Sequence, residues 1–135
     1  VMDEFADINK FSSRATWSNI NRGAMALLAT IQQDAALLAQ YEKEREALYQ
    51  IVRSRGALFM QEADACGLKA LPYKAGFFLA VPAKDPKAVA EKLHEDLVFA
   101  VPLKRGVRIA VCGVATPKIK GLAAKVKKAW DAVEK

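Results

Sequence analysis

Cysteine and histidine are scarce in this chain of 135 residues: it has two cysteines, Cys66 and Cys112, and one histidine, His94. The cysteines lie far apart, with no His or Cys neighbour at metal-ligand spacing. That excludes a disulfide scaffold and a zinc site, and both are expected to be reduced packing residues. Neither thiol has a local partner to activate it, so serine- or cysteine-hydrolase chemistry has no support. His94 is followed by Glu95 and Asp96 near a helix end, and reads as a solvated residue favoured by the helix dipole rather than as a ligand. Nucleotide binding also lacks support, because there is no glycine-rich phosphate loop, no Walker lysine and no strand-linked GxGxxG. No apolar run approaches the roughly 20 residues that span a bilayer. The start Val1-Met2-Asp3-Glu4 has neither the basic nor the apolar region of a secretory signal. The expectation is a soluble, cytoplasmic protein with no membrane partner.

What is present is ordinary globular material, 53% hydrophobic and 27% charged, enough for one core, so residues 1–135 are expected to form a single domain. The formal net charge of +6 raises the question of an anionic partner. The basic residues are spread along the chain, however, and the densest stretch, Lys118 to Trp130, reads as an amphipathic helix with its lysines opposite Leu122, Val126, Ala129 and Trp130. A solvated helix face explains it. With no aromatic-basic signature or zinc knuckle, nucleic acid is not an expected partner.

The apolar spacing of Val1, Phe5, Ile8 and Phe11 predicts a helix that begins without a capping residue, as in a truncated chain. Ser12 to Asn19 supplies turn and capping residues, with Ser18 or Asn19 as N-cap of a helix carrying Met25, Leu28 and Ile31. Asp34 caps the next and longest helix, whose apolar steps run to Cys66 with Gly67 behind it; Gly56 marks a weak point or bend within it. Gly76 to Val81 reads as a buried strand. Asp85-Pro86 is an N-cap followed by an N1 proline that opens a helix to about Glu95. Leu97–Leu103 and Val107–Val111 are two further strands about the Lys104-Arg105-Gly106 turn, and Thr116-Pro117 repeats the cap-plus-proline signal before a last helix. This order predicts an α+β fold: a small, mainly antiparallel three-stranded sheet packed with helices, one of them long and in the N-terminal half.

Two arginines carry the candidate chemistry, since a guanidinium fork takes a carboxylate in bidentate fashion. Arg108 interrupts the apolar strand Val107-Arg108-Ile109-Ala110-Val111, and alternation turns it to the face opposite its neighbours, toward either solvent or a site. Arg14 lies in the turn-rich stretch.

The strings around both arginines resemble the aspartate and aromatic, class I, pyridoxal-phosphate-dependent aminotransferases. Arg14-Ala-Thr-Trp-Ser-Asn19 is similar to that family's Arg-x-x-Tyr-Ser-Asn segment, with Trp17 for the tyrosine. Gly76-Phe77-Phe78-Leu79 resembles its glycine-aromatic strand, and Arg108-Ile-Ala-Val-Cys-Gly-Val-Ala115 its Arg-(Ile/Val)-x-(Val/Leu)-Ala-Gly strand, with Cys112 for the alanine. The motifs keep family order and approximate spacing over nearly the whole chain.

The resemblance implies the C-terminal small domain of a larger enzyme, with residues 1–19 as an interdomain helix and loop. It implies that Arg108 binds the substrate's α-carboxylate, that Arg14 reaches a neighbouring subunit's site to hold a distal carboxylate, that Phe78 lines the site, and that Ser18 contacts the cofactor. The parent would be a homodimer using pyridoxal 5'-phosphate to move an amino group between an amino acid, dicarboxylic or aromatic, and a 2-oxo acid. The family's Ser-x-x-Lys cofactor segment is missing here. This chain by itself, separated from its own N-terminal large domain, is therefore expected to be inactive. Two other readings remain open: a stand-alone α+β module that binds an amino acid through Arg108 to regulate, and a nucleic-acid role driven by charge.

Overall fold

The computed structural model describes residues 2–17 and 21–134. The chain divides into two compact units, Val1–Arg45 and Glu46–Lys135. The first consists of α1 (Met2–Thr16), α2 (Arg22–Gln33) and the start of α3 (Ala35–Ala65). In α1, Asp3 and Glu4 occupy the first turn and Arg14 the last, each of the sign favoured by the helix dipole. Ser12 and Ser13, expected in a turn, lie inside this helix, where the Thr16 hydroxyl donates to the Ser12 carbonyl at 2.8 Å. The N-cap of α2 is Asn21, whose Oδ1 accepts from the Ala24 N–H. The capping role expected of Ser18 or Asn19 therefore falls to Asn21, and those two residues lie outside the described ones. Asp34 does cap α3, its Oδ1 accepting from Ala36 N at 2.9 Å and Leu37 N at 3.1 Å. Neither α1 nor α2 contains a buried residue, and Phe5, Ile8, Phe11, Met25 and Leu28 are exposed.

The second unit holds the core. Within it α3 buries Gly56, Phe59 and Ala63 and closes in a Schellman motif: Leu68 N donates to Ala63 O, Gly67 N to Asp64 O, and Gly67 takes φ +71°. Strand β1 (Phe78–Pro82) leads to α4 (Pro86–Leu93), which Asp85 caps through Ala88 N at 3.0 Å with Pro86 at its first position. A 3₁₀ turn, His94–Asp96, then ends on Leu97 at φ 55°. Leu97 and Val98 are therefore helix-ending backbone, their N–H groups donating to His94 O and Leu93 O, and the expected strand Leu97–Leu103 shrinks to β2 (Val101–Leu103). Strand β3 (Gly106–Ala110) lies between the others in an antiparallel sheet of order β1-β3-β2, the α+β architecture expected from the sequence.

The last helix departs from expectation. Thr116 does not cap it with its side chain, and a short α5 (Thr116–Ile119) breaks at Gly121, φ +81°, before α6 (Leu122–Glu134). Helices cover one face of the sheet. Leu79 and Val81 of β1 and Val107 and Ile109 of β3 join Phe59, Val89, Leu93, Ile119 and Val126 in one buried cluster. Each such side chain contributes roughly 1.5–3 kcal/mol on burial. Cys112, expected to pack, is instead exposed, because the 3₁₀ turn Val111–Gly113 ends the strand's alternation; both cysteines are free.

Candidate functional site

The uncovered face of the sheet follows from strand alternation. Phe78, Ala80, Arg108, Val101 and Leu103 point away from the core residues, with Ala80 opposite Arg108 on one side and Val101 opposite it on the other. Arg108 is thus the one charged side chain in the middle of an apolar surface on which Phe78, Val101 and Leu103 stay 44–46% exposed. Its guanidinium carbon sits over the Phe78 ring, 4.4 Å from the centroid. This cation–π contact holds the guanidinium over the ring and limits its rotation. The Arg108 Nε is buried and has no hydrogen-bond partner among the described residues. An unpaired buried guanidinium N–H is costly, and a planar oxyanion would satisfy it.

Beside Arg108 and Phe78 lies a depression of about 270 Å³ that Leu71, Pro72, Tyr73 and Leu103 also line. Its wall, residues 71–76, folds back along β1. Leu71 N donates to Ala80 O at 2.9 Å, and the Tyr73 hydroxyl donates to Gly76 O at 2.8 Å across a reversal where Gly76 takes φ +111°. Gly56, expected as a weak point of α3, is the seat of the Tyr73 ring. A Cβ there would stand 2.1 Å from Cε1 and 2.7 Å from the hydroxyl oxygen. Burial, and after it the neighbouring Tyr49 phenol, push the Tyr73 hydroxyl above its ordinary value of 10.0.

The other nominated residues belong to other segments of the chain. Arg14 is in the last turn of α1 in the first unit, on a helix rather than in the expected loop, and is exposed. Ser18 lies outside the described residues. His94 is exposed and its ring lies 5.1 Å from that of Phe99. A larger depression, about 750 Å³, is lined by Asp96, Phe99, Lys118, Lys120 and Lys125 among others. Of its lysines, Lys125 donates to the Asp96 carbonyl at 3.4 Å, and Lys128, outside the depression, pairs with the Asp96 carboxylate at 3.2 Å.

Tyr73, Arg55 and Glu62 were not singled out by the sequence. Arg55 of α3 donates to the Thr116 hydroxyl at 3.0 Å and the Cys112 carbonyl at 3.1 Å, fixing the turn that follows β3. Glu62 accepts from Gly121 N with both oxygens, at 3.1 and 2.8 Å. The only advance signal was Gly56, a glycine inside a helix, which commonly marks close packing.

Among the described residues there is no cluster of three or more potential metal ligands, and no helix is long and apolar enough to cross a membrane. Every described lysine is exposed or half-exposed. No family model matches the chain, and no curated protein does. Among solved structures it is similar to the crystal structure of an aminotransferase from Anaerococcus prevotii, at 28% sequence identity and a TM-score of 0.88. The match covers 96% of this chain and 32% of the aminotransferase, so the chain spans about a third of that protein's length.

Proposed function

We propose that this chain is the substrate-clamping part of a larger pyridoxal-phosphate-dependent aminotransferase of the aspartate and aromatic type. The carrying observation is Arg108, a guanidinium stacked on Phe78 with a buried, unpartnered Nε, in a fold similar to part of an aminotransferase. In this reading Arg108 holds the α-carboxylate of the amino acid and of the 2-oxo acid, and Phe78 walls the site. Arg14 meets the distal carboxylate of a dicarboxylic substrate in the other subunit of a homodimer, and Ser18 touches the cofactor.

The residues described here do not fit the cofactor itself. A lysine that bonds to it needs an enclosed site that depresses its pKa, and no described lysine is buried. Cofactor chemistry therefore belongs to the rest of the protein, and no step through it is assigned to this chain. What these residues do is orient. A bidentate carboxylate on Arg108 has its plane fixed by the fork, and with it the direction of the substrate's Cα, a positioning effect that grows as water is excluded.

A titration of the chain with succinate, followed at the Arg108 Nε–Hε resonance, tests the clamp. The proposal expects a saturable downfield shift there that the Arg105 resonance does not show. Equal, non-saturating drifts at both arginines would remove it.

A further inference from the structure

Three contacts hold the wall of the Arg108 depression. Leu71 N is bonded to Ala80 O, the Tyr73 hydroxyl to Gly76 O, and the Tyr73 ring occupies the space a side chain at position 56 would fill. The first two bracket the loop's fold-back onto β1. The third ties it to α3. Gly76 is two residues before Phe78, whose ring carries the Arg108 guanidinium at 4.4 Å, so whatever fixes Gly76 also fixes how Phe78 enters the strand.

We infer that Tyr73 is the positioning residue of the Arg108 site: seated on Gly56 and bonded to the Gly76 carbonyl, it holds Phe78 beneath the guanidinium so that a carboxylate meets a fork already fixed. The inference rests on the carboxylate reading of Arg108. Its physical content is preorganisation. A free guanidinium samples many rotamers, and each one lost on binding weakens affinity, whereas a fork already held over an aromatic face loses fewer.

Tyr73→Phe keeps the ring on Gly56 and deletes only the donor. In the chain labelled with ¹⁵N at arginine and ¹³C at methyl groups, the expected result has three parts. The upfield displacement of the Arg108 side-chain protons by the Phe78 ring shrinks by more than half. Succinate binding at Arg108 weakens about fivefold, the equivalent of ~1 kcal/mol for one neutral hydrogen bond. The core methyl resonances of Val81 and Val107 stay where they are. Gly56→Ala is the second variant: its Cβ displaces the same ring from the other side, and it should reproduce the change at Arg108.

Folded variants with unaltered Arg108 proton shifts overturn the inference, whatever succinate does. If Arg108 of the unmodified chain ignores succinate, the carboxylate reading fails. The ring-current displacement then still decides whether Tyr73 holds Phe78 in place.

Discussion

Removing the Glu62 carboxylate should cost the second unit about 2 kcal/mol. Glu62 lies in the last two turns of α3 and reaches the Gly121 N–H with both oxygens, at 3.1 and 2.8 Å. Gly121 stands at φ +81° between α5 and α6, and α6 begins at the next residue. The carboxylate thus makes a charge-assisted hydrogen bond and places a negative charge at a helix N-terminus. The first is worth ~1.5–3 kcal/mol and the second ~0.3–1 kcal/mol. Glu62 is half-exposed, so the lower ends apply and sum to roughly 2 kcal/mol. Glu62→Ala loses both effects. Glu62→Gln keeps one neutral acceptor and should lose about half as much. With a urea slope near 2 kcal/mol per molar, the midpoint of Glu62→Ala falls by about 1 M at unchanged slope, and that of Glu62→Gln by about 0.5 M. Circular dichroism of the helices during a urea titration reads both. A Glu62→Ala midpoint within about 0.2 M of the unmodified chain would show that the break before α6 needs no such link.

Gly106→Ala should destabilise the sheet by about 2 kcal/mol or more, since a Cβ there would meet the Val81 carbonyl oxygen at 2.4 Å and backbone cannot swing aside; a urea midpoint equal to that of the unmodified chain contradicts this. Glu134 accepts from the Lys84 and Asp85 backbone N–H groups, both at 2.8 Å, and those two bonds, Asp85's first, hold its carboxyl below the ordinary 4.5. A group whose folded pKa is lowered stabilises above its unfolded value and loses that contribution as pH falls through the folded one. Stability measured by urea at pH 6 and again below pH 4 should therefore drop more for the unmodified chain than for Glu134→Gln, and equal drops would show that the link carries no pH dependence.

The parts of the fold legible in the sequence were those written locally. Asp85-Pro86, Asp34 and Gly67 each act on backbone groups within a few residues, and all three sit at helix ends in the roles their side chains suit. The alternation around Arg108 gave its face correctly, because strand period depends only on neighbours. What escaped was set by distant partners. The break at Gly121 interrupts a continuous lysine-and-apolar pattern, and the carboxylate that receives its N–H is 59 residues away. Thr116 looked like a cap by type, yet its hydroxyl is engaged by Arg55 from 61 residues away. Gly56 looked like a flaw in α3 until Tyr73 supplied the ring that needs its space. The shortening of β2 has the same character: residues 97–100 have apolar, strand-like composition, but Leu97 and Val98 complete the end of the preceding helix. At the candidate site, Arg108 and Phe78 were visible as motif residues, while the loop wall that surrounds them was not.

If Arg108 clamps the carboxylate of an amino acid undergoing amine transfer, as proposed, the kinetics of the proposed parent aminotransferase depend on it. With pyridoxal phosphate present, 2-oxoglutarate-dependent transfer from aspartate and from an aromatic amino acid would be compared between the unmodified protein and Arg108→Ala. Transfer is expected in the first, and in the second a fall in kcat/KM of roughly a hundredfold or more, with KM raised and kcat lowered, as for loss of a buried charged contact worth ~2–5 kcal/mol. Transfer that proceeds equally well without the Arg108 guanidinium, or no transfer from any amino acid while carboxylates still bind at Arg108, would contradict it.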